Sequence, residues 1–464
     1  MTKSGVTPSE AYLARLCGTT FLRMWSYPHL YKDQGKKGGG DGKELCDLLV
    51  VFGEHLLIFS DKDIELRDDT EIEVAWPRWY RKAVLESAEQ VIGAERWLRQ
   101  HPDRVFMDPK CTKRLPVELP QTPRVHRILT CRGAARACAK ALGGSGSLMV
   151  TNRELDECKD TPFLVGAFDS SGNMFHIIDE AVLDIVLRTL DTVSDFVEYL
   201  TRKEAFFRKL EFVTAAGEED LVAYYLFHMS PDEMTHDFVL PEEELTGIAI
   251  DQGQWALWLG SEQRKAKEKA DRVSYAWDSL IETFTRHILG GTQYFENPDI
   301  PDKDRGLRWM ARENRFRRRL LAESLYECLT KEGAPGQHFR RYHLPQFPGD
   351  PLWVFLVLPW DKGSWEYKAY REARRHLLTG LCFVVKYLHP EATDIVGIAM
   401  GPPRGPGKDT SEDVLYVDAR GFGPTQLEAG RRLHEEAGFF KSPDRREQRS
   451  YEFPIDGTDR DERE

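Results

Sequence analysis

At 464 residues, 41% hydrophobic and 30% charged, with 11 tryptophans and 24 phenylalanines, the chain has enough apolar mass to exclude disorder, and its length predicts two or three domains of roughly 150 residues each. A formal net charge of −12 excludes nucleic-acid binding by overall basicity, so such binding must come from local patches. The eight cysteines form no Cys-x-x-Cys pair, and no histidine spacing completes a zinc site. Nowhere do about 18 apolar residues run together, so no membrane span is expected and a reducing cytoplasm is the expected compartment.

Thr7-Pro8-Ser9-Glu10 opens a helix towards Phe21, with Thr7 or Ser9 as cap and Pro8 in its first turn. Lys36-Lys37 beside Gly38-Gly39-Gly40 reads as a surface loop, or as a rim for a phosphate backbone. Residues 43–62, KELCDLLVVFGEHLLIFSDK, then hold two apolar runs, Leu48–Phe52 and Leu56–Phe59, around Gly53-Glu54-His55. Such runs around a glycine turn predict a β-hairpin. Their apolar character on both faces places it in the middle of a covered sheet. Centring the turn on Gly53 and Glu54 sets Asp47 opposite Ser60 and Leu45 opposite Lys62, and strand alternation puts Ser60 and Lys62 on one face. Glu44 comes shortly before Asp47, so two acids and a lysine gather at the open end of an otherwise apolar unit.

After the acidic connection Asp61–Glu73, Pro77 opens a long helix with Val84, Ala88, Val91 and Trp97 towards the core. Lys82, Glu86 and Gln90 fall at i, i+4 and i+8 and share another face. A short strand near Val105–Met107 closes this part. Beyond it, VHRILTC and SLMVTN read as strands, and FLVGAF and NMFHII flank Asp169–Asn173 as a hairpin. Gly143–Ser147 lacks the Gly-Lys-Ser/Thr ending of a phosphate loop and reads as a turn. Asp179–Glu204 reads as helix, and residues 205–330 as mainly helical.

Seven arginines crowd residues 305–321. Arg308, Arg312, Arg315 and Arg319 recur at helical spacing with Trp309 and Phe316 between them, so this helix either contacts phosphates or bridges acidic neighbours. PLWVFLVLPW as a buried strand, Tyr367–Leu388 as a helix, and DIVGIAM with DVLYVD as a strand pair make a C-terminal α/β unit. The loop GPPRGPGKDTSED departs from a nucleotide motif at Pro402 and after Lys408, which argues against ATP. The charged tail after Lys441 is expected to be loosely attached.

The grouping of Glu44, Asp47 and Lys62 resembles the PD-(D/E)XK nuclease superfamily, and within it the NERD-like and Holliday-junction-resolvase-like members. Their pattern is an early Glu, an Asp beginning one strand, and an acid-x-Lys closing the next. Ser60 stands where the family has its acid. Some restriction enzymes of the superfamily carry Ser-x-Lys and take the acid from the following helix, a part that falls here to Glu86 or Glu89. The resemblance implies a Mg²⁺ or Mn²⁺ ion held by Asp47, Glu44, Glu86 and the Asp61 backbone carbonyl. It also implies Lys62 beside the attacking water, and Gln90 and Lys82 presented to the active edge by the helix. The implied function is that of a metal-dependent endonuclease on DNA or RNA, with a role in bacterial defence against foreign nucleic acid. The alternative is a nuclease-fold binding module or assembly subunit that has lost catalysis, with a protein partner or a second copy of the chain.

The expected fold class is a multidomain α/β and α+β protein. A restriction-endonuclease-like mixed sheet flanked by helices spans 1–110, and a middle region of β-hairpin and helices spans 111–330. The C-terminal α/β unit spans 331–445 and the charged tail 446–464.

Overall fold

The computed structural model describes residues 7–34, 40–67, 69–230, 235–242, 244–290, 305–331, 338–360, 366–401, 412–441 and 450–454. The chain divides into two compact units, Met1–Arg264 and Lys265–Glu464. Among the described residues it is a mixed α/β protein with three mixed sheets of six, four and four strands. No described helix is long and apolar enough to cross a membrane.

The first unit opens with α1 (Pro8–Thr20), whose start is a reciprocal cap. Glu10 N–H donates to Thr7 Oγ1 at 3.2 Å, and Thr7 N–H donates to the Glu10 carboxylate at 2.8 Å. Three antiparallel strands follow: β1 (Ser26–Lys32), β2 (Lys43–Phe52) and β3 (His55–Asp63). The β2–β3 hairpin has the register expected from its turn, with Leu48 facing Phe59 and Phe52 facing His55. Gly53 sits at φ +57°, a conformation that costs a glycine little. Leu48–Val51 and Leu56–Phe59 are all at most 5% exposed. Each such side chain contributes about 1.5–3 kcal/mol relative to exposure, which fixes the hairpin in the centre of its sheet.

The helix across this sheet begins at α2 (Ile72–Tyr80), five residues before Pro77, which lies inside it. The buried rings of Trp76, Trp79 and Tyr80 anchor this stretch and outweigh the lost backbone donor. A π-helical turn, Arg81–Leu85, then leads into α3 (Glu86–Gln100). In that widened turn Glu86 N–H bonds Arg81 C=O. The Ala83 carbonyl receives Ser87 Oγ at 2.9 Å and Cys131 Sγ at 3.3 Å. After β4 (Val105–Phe106), β5 (Arg124–Arg132) pairs in parallel with β3, so the long helix is the crossover such pairing requires.

The chain continues through α4 (Ala135–Leu142), β6 (Met149–Glu154), α5 (Leu155–Cys158) and β7 (Leu164–Phe168) to β8 (Phe175–Asp179). The order of the first sheet is β4-β1-β2-β3-β5-β8, and it thus takes two strands from beyond residue 110. The hairpin expected across residues 164–178 is corrected by this topology. Its turn forms, with Gly172 N–H on Asp169 C=O at 2.9 Å, but β7 and β8 lie in different sheets and meet only in the Phe168–Met174 bridge. Each arm is apolar enough to be buried and finds a longer parallel partner elsewhere, β8 beside β5 and β7 beside β6.

The helix expected over Asp179–Glu204 is two helices, α6 (Leu183–Thr189) and α7 (Val193–Lys209), because Thr192 caps the second by accepting Asp195 N–H at 3.0 Å. Next come β9 (Phe212–Ala215), α8 (Glu218–Phe227), β10 (Gly247–Ile250) and α9 (Gln254–Gly260). The second sheet runs β10-β9-β6-β7.

Helix α10 (Glu262–Asp271) spans the boundary between the units. The second unit continues with α11 (Tyr275–Gly290), α12 (Arg305–Arg312) and α13 (Arg315–Thr330), followed by β11 (Phe339–His343) and β12 (Leu352–Val357). It closes with α14 (Tyr367–Leu388), β13 (Asp394–Met400), β14 (Glu412–Asp418) and α15 (Pro424–Glu435). Its sheet runs β11-β12-β13-β14, with α14 crossing between the parallel pair β12–β13 and with β14 antiparallel to β13, as the sequence suggested for that last pair. The tail is tied down at Tyr451 and Glu452. Arg319 Nη2 donates to Tyr451 C=O at 2.5 Å and the Glu452 carboxylate pairs with Lys267. The glycine-lysine loop at 36–39 and the loop at 402–411 lie outside the described residues.

Candidate functional site

Strands β2 and β3 carry Asp47 and Ser60–Lys62 to the open end of the hairpin. Asp47 is 5% exposed, and its Oδ2 accepts Asp61 N–H at 2.6 Å. Burial pushes its carboxyl up to about 6. The Asp61 N–H and the Lys62 ammonium oppose that rise, and the charges of Glu44 and Glu10 add to it. Ser60 is fully buried. Its Oγ donates to Gln90 Oε1 at 3.3 Å, and Lys62 Nζ donates to the same oxygen at 2.9 Å. Ser60 and Lys62 therefore share a face, and α3 supplies the group that holds both.

The expected ligands other than Asp47 have side-chain partners of their own, Asp61 being expected to offer its backbone carbonyl alone. The buried Asp61 carboxylate turns to β5, where Oδ1 accepts Thr130 Oγ1 at 2.5 Å and lies 3.5 Å from Arg132 Nε. Glu44 stands 3.5 Å from His29 Nδ1, and its hydrogen bond, aided by the charges of Glu10 and Glu44, holds that imidazole above its usual range against the effect of burial. Glu86 is exposed and faces Arg81 at 4.0 Å, while Glu89 is exposed on α3. The π turn sets Arg81 beside Glu86, five residues on, while Glu86 and Gln90, four apart within α3, keep a common face. Lys82 is exposed. Among the described residues no group of three or more His, Cys, Asp and Glu is arranged to hold a metal ion.

Two residues were missed from the sequence. Glu10 carries a charge felt at both Asp47 and His29, but its only sequence signal is the capping pattern of α1. His29 occupies left-handed backbone at φ +52°, beside a bulge in β1. That conformation costs a non-glycine residue about 1–2 kcal/mol and is common where function over-determines the backbone.

The basic run at 305–321 is two helices and not one, and of its two readings the bridge to acidic neighbours holds for Arg315 and Arg319. Asn314 breaks it by accepting Arg317 N–H at 2.9 Å as the cap of α13, so Arg308 and Arg312 do not share a helix with Arg315 and Arg319. Arg315, 4% exposed, donates to Asp278 at 2.9 Å. Arg319, 1% exposed, bonds Asp271 at 3.3 Å as well as the tail. Both are counter-ions inside the second unit and are closed to a phosphate backbone. Arg308 is half-buried and Arg312 exposed, its guanidinium 5.0 Å from the centre of the Trp309 ring.

Comparison with known proteins finds no matching family model, no matching curated protein and no matching solved structure.

Proposed function

We propose that the chain is a metal-dependent phosphodiesterase, an endonuclease on DNA or RNA, whose active edge is the open end of the β2–β3 hairpin. The observation that carries this reading is convergence: a buried acid on β2, a lysine on β3 and a glutamine on α3 meet at one sheet end, as in the PD-(D/E)XK pattern that the sequence resembles. Acids also outnumber cations there. Asp47 is buried with the charges of Glu10 and Glu44 in electrostatic reach, and the Lys62 ammonium opposes them. A divalent cation fits that imbalance, though not as a preformed cage. Mg²⁺ commonly takes one or two carboxylates and completes its shell with waters and substrate phosphates, and Asp47 with Glu10 or Glu44 would hold it so. Bound there, the cation would supply a water of lowered pKa and offset charge on the phosphoryl oxygens.

The chain's own residues have distinct tasks. Lys62 places an ammonium where charge develops on the phosphoryl group, which favours the transition state over the bound substrate. Gln90 fixes Lys62 through Oε1 and keeps Ser60 turned to the same point. The surrounding apolar strands exclude water and strengthen each of these interactions.

A second reading, a binding module without catalysis, is favoured by Ser60 at the acid position and by the missing three-ligand group among the described residues. Incubating purified protein with Mg²⁺ or Mn²⁺ and mixed nucleic acids, beside a Lys62→Ala variant, separates the two. Cleavage that needs the metal and disappears in the variant supports the nuclease. Binding by both proteins with cleavage by neither supports the module. The absence of both binding and cleavage refutes both readings.

A further inference from the structure

The net charge of −12 leaves nucleic-acid binding to a local patch, and Arg315 and Arg319 do not supply one. A patch does form where β1 ends and β2 begins. Lys32 faces Lys43 in the β1–β2 register, which sets both side chains on one side of the sheet with Cβ atoms about 4.5–5.5 Å apart. The acids beside them in sequence are committed elsewhere: Asp33 to Arg104, Asp41 to Lys110 and Glu44 to His29. Among the described residues no carboxylate bonds either ammonium. Like charges directly opposite each other destabilise a strand pair, so strand pairing gains nothing from these two.

The cations are also held in place. Lys32 is half-buried, and its ammonium lies 5.4 Å from the centre of the Trp97 ring, with the Arg104 guanidinium 5.0 Å from the same centre. Burial first, and then the charge of Lys43, hold the Lys32 ammonium below its usual range. The entry to β2 is tight, since a Cβ on Gly42 would come within 2.7 Å of Lys32 C=O. Lys43 itself is exposed. Gln90, which holds Lys62, and Trp97, beside Lys32, are both on α3, about two turns and about 10 Å apart along its axis. Lys32 and Lys62 are therefore held against one side of that helix.

We propose that Lys32 and Lys43 bind successive backbone phosphates of the nucleic-acid strand that runs along the sheet end to Lys62 and Asp47. The flexible stems let the two ammoniums spread to one phosphate each, and the phosphate charges remove the repulsion between them. Lys43 precedes Asp47 on β2 by about 13 Å at strand rise, so these phosphates flank the reacting one and are not the reacting group. Compact ammoniums hold phosphates without reading a base, which fits a surface with little sequence preference. Naming the strand as substrate rests on the nuclease reading, whereas the cationic patch rests on Lys32 and Lys43 alone.

The test is a set of anisotropy titrations in EDTA with labelled single-stranded and duplex oligonucleotides, at several salt concentrations, beside cleavage in Mg²⁺ and thermal melting, all on the full chain. Lys43→Gln is expected to weaken binding about tenfold and to reduce the logarithmic salt slope by about 0.7 on single strands or about 0.9 on duplex. Lys43→Glu places an acid opposite Lys32 and is expected to bind more weakly still. Both variants are expected to melt about 1–3 °C above the parent, because a repulsive cross-strand pair is removed or reversed.

Unchanged affinity and slope in both variants overturn the proposal, and cleavage by them at the parent's rate would then leave the nuclease reading standing. Lowered melting temperatures with an unchanged slope assign Lys43 to the fold and overturn it as well. Binding that depends on Lys43, with no cleavage by the parent, upholds the patch and removes the nuclease reading. A parent that binds neither strand overturns the patch as a nucleic-acid surface.

Discussion

Replacing Asp47 by Asn should make the metal-free protein more stable at pH 8. The carboxyl is 5% exposed and burial raises it from 3.8 to about 6. A raised folded value in an acid means that the folded state keeps its proton longer than the unfolded state. Nothing is lost below about pH 4, the penalty grows as pH climbs towards 6, and it is complete above that. Each unit is worth about 1.4 kcal/mol, so the ionised side chain costs the fold about 3 kcal/mol at pH 8. Asn still accepts Asp61 N–H, but the bond loses its charge assistance, worth about 1 kcal/mol. The net expectation is a gain of about 2 kcal/mol, or about 4–8 °C in the melting of the first unit. Thermal denaturation in EDTA at pH 4 and pH 8 reads both ends of the window. The gain should be present at pH 8 and nearly absent at pH 4. A variant less stable than its parent at pH 8, or one with an equal gain at both pH values, would refute the reasoning that this acid is held in its place at the expense of the fold.

Three further outcomes follow from buried groups. His126, 5% exposed and 3.0 Å from His55, is held down to about 3 by burial first and then by His55 and the neighbouring arginines. The unfolded chain therefore takes up the proton first as pH falls below about 6.5, and about 2 kcal/mol of stability should be lost by pH 5. Urea midpoints at pH 7.5 and 5 should differ by that much more in the parent than in His126→Gln, and equal differences would sink the assignment. Asp413→Ala removes the acid bonded to Arg374 Nε at 2.8 Å, leaving a guanidinium at 0% exposure without that counter-charge. A loss of about 3–5 kcal/mol in the second unit is expected by thermal denaturation, and a loss under 1 would show that the pair is dispensable. Gly133→Ala should destabilise the first unit by about 1–3 kcal/mol, since its left-handed backbone leaves no room for a methyl group against Ile64; a neutral substitution would place that turn differently.

The hairpin was the most legible part of the sequence. Two runs apolar on both faces and a single glycine between them admit one register, and Leu48–Phe59 pairing confirms it. The joint attachment of Ser60 and Lys62 to Gln90 also follows from period, since alternate residues on a strand must face the same helix. What stayed hidden depended on partners distant along the chain. The arginines of 305–321 leave two readings open until Asp271 and Asp278 close on them. Asp169–Asn173 predicts a turn correctly, but a turn alone does not decide which sheet each arm joins. Glu10 gave no chemical signal because its carboxylate already explained itself as a cap.

The π turn at Arg81–Leu85 gives the crossover helix one place where its length is negotiable. An α-helix advances about 100° and 1.5 Å with every residue, so losing one from most of this run would swing everything beyond it away from the sheet. The widened turn already holds a residue more than an α-turn needs. Deleting one within it would tighten the ring to the ordinary size and leave both flanks in phase, with Trp79 still on Ile64 and Arg132 and Gln90 still on Lys62. The segment thus works as a slip joint: the packing half of the helix and the half that reaches the candidate site can drift in length against each other without either losing its grip.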